Sequence, residues 1–524
     1  MWLKDSDIDA GTRRGLTALL FNGVFGFTWD TLTTGAFLVG FAVAAGAGNF
    51  TIGLLSAIPL FAQVLQIPAV LLLERWRRPK RMIFTVGPFG RGLWVLVALV
   101  PLLFTGTTAL SVFTVVLLLA SCAGAFLGVA WNTWVRLFIP ESIMGRYLAS
   151  RMRIAVGASL VVSLLAGFFV DWWKGNHPGE PLSAYAFVFG AGAACAFMSL
   201  LFLYRMPARD LPPTQERAPM TKVLKEPFKD RNFRSLLIFL ALWGFGANLA
   251  LPFFAAYLLK RLDFPLSTVV IFTTISQFSY ILFVNAWGRL ADVAGSRAVL
   301  YSAGFLLMLT ILAFPFTGVI HNRGLLIAVL VVVHILGGLA IGGVNLGNSN
   351  IAFKLSPHGL SHAYLAVIGL VASIAGAVSP LVAGYLGDFF SERSFVVRIG
   401  WSSPSREWAT NVLNFQGLDF VFLLAVVFVA FSLHRLAFVR EEGTITEKLD
   451  VEHVVHEMSR EVKSLTSVGG IRMLMTFPFT LTTLAGRTLL EPADDAKATR
   501  NYQVFVTRDP ATGRRRDSGD KKVT

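Results

Sequence analysis

Asp30 stands midway along an apolar run, and no other acid occurs between Asp9 and Glu74. An ionised carboxylate in hydrocarbon costs at least ~2.5–3.5 kcal/mol, so such a group must be paired, hydrated or able to take a proton. Asn22, Gly26 and Asp30 follow at i, i+4 and i+8, with Thr33 and Thr34 a turn later. That spacing predicts one polar stripe on a helix. Two chemistries are open to Asp30. It exchanges a proton, since a carboxyl shielded from water binds its proton nearer to neutral pH, or it is a structural carboxylate paired with Arg91 or Arg136. Arg91 lies about 14 Å into its own apolar run at 1.5 Å per residue and needs a partner or a wet cavity. Asn132 and Arg136 share a helical face, where Arg136 either binds an anionic solute or closes an inner gate.

His334 sits alone among Val and Ile, as a hydrogen-bonded core residue or a proton relay. Asn345, Asn348, Ser349 and Asn350 make the second half of the same run polar, beside Gly338, Gly342, Gly343 and Gly347, which allow helices to pack closely. Asn248, Gln277 and Tyr280 add hydrogen-bonding groups. A cavity built from these residues is poor in charge and rich in Phe and Trp. It suits an amphipathic or weakly charged small molecule better than a sugar, which would want several fixed polar partners. No Gly-x4-Gly-Lys-Ser/Thr loop is present for direct ATP drive. Asp171 and Asp388 fall near helix ends, where helix termination accounts for them, so an intramembrane enzyme is not expected. His453, His456 and Met458 are spaced either for a soft metal or for a solvated helix face. The second is preferred, and neither a metal nor a cofactor is expected.

These groups must be held by membrane helices. The chain has 524 residues, 55% of them hydrophobic and 15% charged, with a mean hydropathy of +0.64. Stretches of about 20 apolar residues recur up to about residue 438, each long enough to cross a bilayer. They are too long and too rich in Gly and Phe for barrel strands. The net charge of +15 is gathered in short loops, which argues against nucleic acid as partner and for a lipid bilayer. Cys122 and Cys195 lie inside apolar runs and read as small core residues. No cleavable signal peptide is expected, because Asp5, Asp7 and Asp9 precede a long first run.

Spans are predicted at roughly 16–45, 50–73, 82–104, 109–135, 149–173, 183–204, 235–259, 266–288, 298–320, 324–353, 363–388 and 416–438. Arg75, Arg77, Arg78, Lys80 and Arg81 follow the second span; Arg146, Arg151 and Arg153 follow the fourth. Arg205, Arg209, Arg217, Lys222, Lys225, Lys229, Arg231 and Arg234 surround the connection after the sixth. The loops at Gly46–Asn49 and Thr105–Thr108 carry no basic residue. The positive-inside rule therefore predicts a multi-pass protein of the cytoplasmic (inner) membrane with both termini cytoplasmic. An internal repeat strengthens the reading. Pro140, Tyr147, Leu148 and Ala149 recur 217 positions later as Pro357, Tyr364, Leu365 and Ala366; Ala166-Gly167 recurs as Ala383-Gly384, and Asp171 as Asp388. At an offset of 220, Phe25-Gly26 matches Phe245-Gly246. The expected fold is all-α, about twelve transmembrane helices in two pseudo-symmetric six-helix bundles. Its parts are a first bundle over 1–205, a cytoplasmic linker over 206–233, a second bundle over 234–438 and a cytoplasmic tail over 439–524. In the tail, Val451–Leu465 has helical periodicity and Ile471–Leu490 reads as an interfacial helix.

The loop Gly288-Arg289-Leu290-Ala291-Asp292-Val293-Ala294-Gly295-Ser296-Arg297 resembles the cytoplasmic loop signature of the major facilitator superfamily. Gly288, Asp292, Gly295 and Arg297 carry the match. Glycines permit a tight turn there, and Asp292 can face a helix N-terminus while an Arg pairs with it. The first-half counterpart, Leu72 to Arg81, keeps only Glu74 in place of the Asp and lacks both glycines. Trp131-Asn132-Thr133-Trp134-Val135-Arg136 through Pro140-Glu141 and Gly145-Arg146-Tyr147 is similar to bacterial permeases of that superfamily, and the resemblance covers about residues 14–440. It implies the major facilitator fold, a cavity lined by the first, fourth, seventh and tenth helices, and a protonation site on the first helix, here Asp30. The function it implies is a secondary active transporter moving a small solute by alternating access, with H+ coupling. The alternative is a scaffold, receptor or assembly factor of the same fold that recruits a protein partner through its tail.

Overall fold

A computed structural model describes residues 10–211, 226–357, 361–403, 406–441 and 458–460. Among them, twelve helices are long and apolar enough to cross a membrane. They are α1 (Gly11–Ala44), α2 (Asn49–Trp76), α3 (Pro79–Leu103), α4 (Gly106–Phe138), α5 (Glu141–Asn176) and α6 (Ser183–Tyr204). The second half supplies α7 (Arg231–Lys260), α8 (Leu266–Ala294), α9 (Ser296–Thr317), α10 (Arg323–Lys354), α11 (Tyr364–Ser391) and α12 (Leu418–Leu436).

Local chemistry sets the ends of several. The Asp230 side chain accepts the amides of Asn232 and Phe233 and so starts α7; Asn322 accepts Leu325 N and starts α10. Both are N-cap residues whose oxygen satisfies first-turn donors that have no partner within the helix. Pro79 opens α3 at a position where no amide is needed. The second helix stops at Arg77, which takes a left-handed φ of 55°. Gly295, between α8 and α9, has φ 86° and ψ 161°, a region open essentially to glycine alone.

Within the first half α1 packs on α5 and α6, and α3 on α4 and α6; within the second, α7 packs on α11 and α12, and α10 on α8 and α9. Between halves, α2 lies along α11 and α5 meets α8. The atoms that join the halves most closely gather at one end, away from the arginine-rich loops. There Lys260 Nζ donates to Ala47 O at 2.7 Å, and Phe41, Ala45, Leu266 and Val270 belong to one apolar core shared by both halves. At the arginine-rich end the first half has a core of its own, with Leu16, Trp134, Tyr147 and Met206. Tyr147 Oη donates to Leu16 O, Arg151 Nε to Leu19 O, and Lys80 Nζ to Tyr204 O and Met206 O, all within that half.

One element departs from the all-helical expectation. Ser394–Ser403 (β1) and Arg406–Gln416 (β2) form an antiparallel hairpin between α11 and α12, with a register shift at Val397/Arg398. Val396, Val397, Ile399 and Trp401 supply the β-branched and aromatic residues that favour a strand, as do Val412 and Phe415. Arg261 donates to Asn414 O and tethers the hairpin to the end of α7. His453, His456 and the Ile471–Leu490 stretch lie outside the described residues. Of Val451–Leu465, Met458–Arg460 is helical, and Met458 packs against the large apolar core.

Candidate functional site

The first span is two helices, Ala10–Thr33 and Gly35–Ala44. Asp30 lies one turn before the break, and its carbonyl accepts both the amide and the hydroxyl of Thr34. The seventh span breaks likewise, into Arg231–Ala250 and Phe254–Lys260 around a short 3-10 turn at Leu251–Phe253. The offset of 220 carries Asp30 onto Ala250. Both first helices therefore bend at the same place, and only one bend carries a charge.

Asp30 is exposed although it sits midway along a spanning helix. Arg91, on α3, is the charged group that acts on it through space. The Arg91 guanidinium lies over the Trp29 ring, 3.9 Å from its centroid, and Trp94 meets Trp29 edge-on at 5.3 Å. Arg91 Nε and Trp29 Nε1 are buried without hydrogen-bond partners among the described residues. A stacked cation is worth about 0.5–2 kcal/mol but gives Nε no acceptor, and a buried orphan donor costs about 1–3 kcal/mol. The stack alone does not satisfy Arg91. The arrangement offers one acid, one cation and two indoles, which suits an amphipathic molecule with a polar end.

The predicted polar stripe divides. Asn22 is buried, and its amide donates to Ser199 O and Ser199 Oγ while its oxygen accepts from Trp131 Nε1 and Arg151. It is a fully engaged junction inside the first half, with no group left to offer a solute, so the expected solute-facing stripe is corrected at this position. Asn132 and Arg136 are both exposed on one face of α4, and Asn345 is exposed on α10. Asn248 spends its amide on Gly244 O. Gln277 is exposed on α8. His334 is buried, with Nδ1 2.8 Å from Leu330 O and its ring stacked on Phe272 at 5.0 Å.

The loop signature is built differently from the expectation. Asp292 is exposed. The first turn of α9 is capped instead by Glu441, whose oxygens accept Ser296 N at 3.1 Å and Arg297 N at 2.8 Å and pair with Lys354 Nζ at 2.7 Å. Arg297 donates to Val439 O. Gly288 has open space around it, so only Gly295 is conformationally required. Glu74 is half-buried at the end of α2. Sequence reasoning missed Glu441 and set aside Asp171 and Asp388. The repeat that carries Asp171 onto Asp388 was the available signal for that pair.

The sequence pattern of the Major Facilitator Superfamily matches residues 18–380, well over half of the chain. The chain belongs to the Major Facilitator Superfamily. As a member, it is a multi-pass membrane transporter. No curated protein sequence matches it. Among solved structures, it is similar to the nucleoside transporter NupG at 15% identity and a TM-score of 0.60, over 83% of this chain and 100% of that one. A bacterial homologue of the iron transporter ferroportin in an inward-facing state matches at 14% identity and a TM-score of 0.55, over 82% and 98%. A bacterial homologue of the human lysosomal transporter Spinster, inward-facing and unoccupied, matches at 13% and 0.52, over 87% and 98%. Likeness at such identities speaks for the superfamily fold alone.

Proposed function

We propose that this facilitator is a secondary carrier of a small amphipathic or weakly charged solute, working by alternating access, with Asp30 as the proton-binding group. The observation that carries the reading is the Asp30–Arg91–Trp29–Trp94 cluster at the bend of α1, an exposed acid and an under-satisfied cation on an aromatic wall. The halves meet at the end away from the arginine-rich loops, which by the positive-inside rule is the outer side of the cytoplasmic membrane. The cavity then opens to the cytoplasm, where both termini lie. The bundles span 1–205 and 234–438, joined by 206–233, and 439–524 is the tail. Asn132, Arg136, Gln277 and Asn345 are the further solute-facing groups, while Gly288, Asp292, Gly295 and Arg297 with Glu74 form the inner latch. The similar structures include a nucleoside transporter and an iron-transporter homologue. The aromatic wall favours a ring-bearing solute of the first kind over a bare cation.

Counterflow and proton flux in proteoliposomes test the reading, with a panel of nucleosides and amphipathic weak acids and bases and an internal pH dye. Wild type should exchange at least one class with a proton signal. Asp30→Asn should lose the pH-dependent flux by about tenfold or more while retaining exchange. Equal pH-dependent flux in both proteins removes the proton role. No flux with any solute, together with a stable membrane partner held by the tail, replaces the carrier with the scaffold.

A further inference from the structure

Asp171 lies in the last turns of α5 and Asp388 in the last turn of α11, and neither carboxylate serves only its own helix. Asp171 Oδ1 accepts Leu266 N at 3.1 Å and Oδ2 accepts Ser267 N at 2.7 Å, at the first turn of α8. Asp388 Oδ1 accepts Asn49 N at 2.7 Å and Oδ2 accepts Phe50 N at 2.8 Å, at the first turn of α2. In each case the acid belongs to one half and the capped helix to the other. The two contacts are images of one another: the offset of 217 takes Asp171 to Asp388, and the same offset takes Asn49 and Phe50 to Leu266 and Ser267. The close approach behind each cap repeats as well. A Cβ on Gly167 would lie 3.3 Å from Ser267 Cα, and one on Gly384 would lie 2.7 Å from Phe50 Cα.

We propose that Asp171 and Asp388 are a symmetry-related pair of gating residues, which hold the outer side of the carrier closed by capping the opposite half's helices and must release both together for that side to open. This rests on the alternating-access reading for its meaning, but not for its geometry. Each carboxylate makes two charge-assisted bonds to backbone donors at the positive end of a helix dipole. Parting α5 from α8 and α2 from α11 breaks four such bonds and leaves four first-turn amides without partners. Both interfaces join the same two bundles, α5 to α8 and α2 to α11, so parting one at this end strains the other. A cation reinforces the closure: Lys260, which acts on Asp388, donates across the halves to Ala47 O.

The capped amides themselves report the opening. Hydrogen exchange followed by mass spectrometry on the full-length protein in nanodiscs, at one pH and without added solute, reads them in peptides over 46–53 and 263–270. Asp171→Asn should speed exchange at its own partners, Leu266 and Ser267, as any lost cap would. The decisive expectation is across the molecule: Asn49 and Phe50 should exchange about tenfold faster in Asp171→Asn, and Leu266 and Ser267 about tenfold faster in Asp388→Asn. Asp171→Glu, which keeps the charge and displaces it by one methylene, should give the same cross-half effect at smaller size and covers the case in which Asn disturbs folding. Glu392→Gln, an exposed acid at the same end, should change neither peptide. Acceleration confined to the altered residue's own interface overturns the proposal and leaves two independent helix caps. That outcome does not touch the transport reading, which solute flux decides separately.

Discussion

The two ends of this transporter use the same bond, a carboxylate on the first-turn amides of a helix, in opposite settings. At the end away from the arginine-rich loops, Asp171 and Asp388 reach across from one half to the other, and the pair obeys the internal repeat. At the arginine-rich end, Glu441 caps α9 from the segment following α12, and Lys354 of α10 closes the triangle. Ser296, Arg297 and Lys354 all belong to the second half. On the alternating-access proposal, a cap that crosses between the halves is broken in every cycle, whereas a cap within one half persists. What distinguishes a gate from a strut is therefore whether the bonded helix moves with the acid or against it.

The comparison breaks first at the outer end. Replacing both acids, Asp171→Asn with Asp388→Asn, should raise the outward-open population by about a hundredfold, roughly the product of two tenfold single effects on one transition. Spin labels at Thr107→Cys and Leu325→Cys, in a chain whose Cys122 and Cys195 are replaced by Ser, would show the longer distance. A double variant no more open than either single one would mean that the two caps do not share a transition. Next in size is Gly384→Val, which places branched carbon against Asn49 and Phe50. It should favour outer opening by about tenfold in the same measurement, since overpacking a tight contact costs about 1–3 kcal/mol.

Glu441 should behave as a strut. Burial alone would push its carboxyl up, but the Lys354 ammonium and the amides of Arg297 and Ser296 outweigh that and hold it below the ordinary carboxylate range. A depressed value in the folded state means that the stabilisation is present above the unfolded value and is lost as pH falls through the folded one. Glu441→Gln should lower stability by about 1.5–3 kcal/mol at neutral pH, read as a lower melting temperature in detergent. The deficit should shrink below the carboxylate range while the label distance at the outer end stays unchanged; an altered distance would make Glu441 part of the gate. The smallest effect belongs to Asp292→Asn. This exposed loop acid should shift the melting temperature by less than about 0.5 kcal/mol equivalent in the present conformation. A larger loss would place Asp292 in a contact that this conformation does not contain.

Much of this was legible in the chain. Twelve apolar runs and the basic loops are local properties, and the repeat is a comparison of the sequence with itself, so α1 to α12 and their two-fold arrangement could be read without coordinates. Asp30 was legible for the same reason, as a lone acid in an apolar run. Asn22 was misread because helical spacing gives only a face. It does not show that Ser199, Trp131 and Arg151 meet Asn22 there. The hairpin at Ser394–Gln416 was missed because its strands are short beside the surrounding spans, although their residue types favour it.

Sequence by itself determined the number of spans, the repeat, the charge asymmetry of the loops and the solitary acid on the first helix, because hydropathy and self-similarity are written along one dimension. Only the tertiary structure decided that Arg91 lies over Trp29 beside that acid, and that Glu441 rather than Asp292 caps α9. It alone paired Asp171 and Asp388 with helix starts 95 and 339 residues away. Those contacts join residues far apart in the chain, and each depends on how whole bundles dock, an arrangement to which no local spacing bears witness.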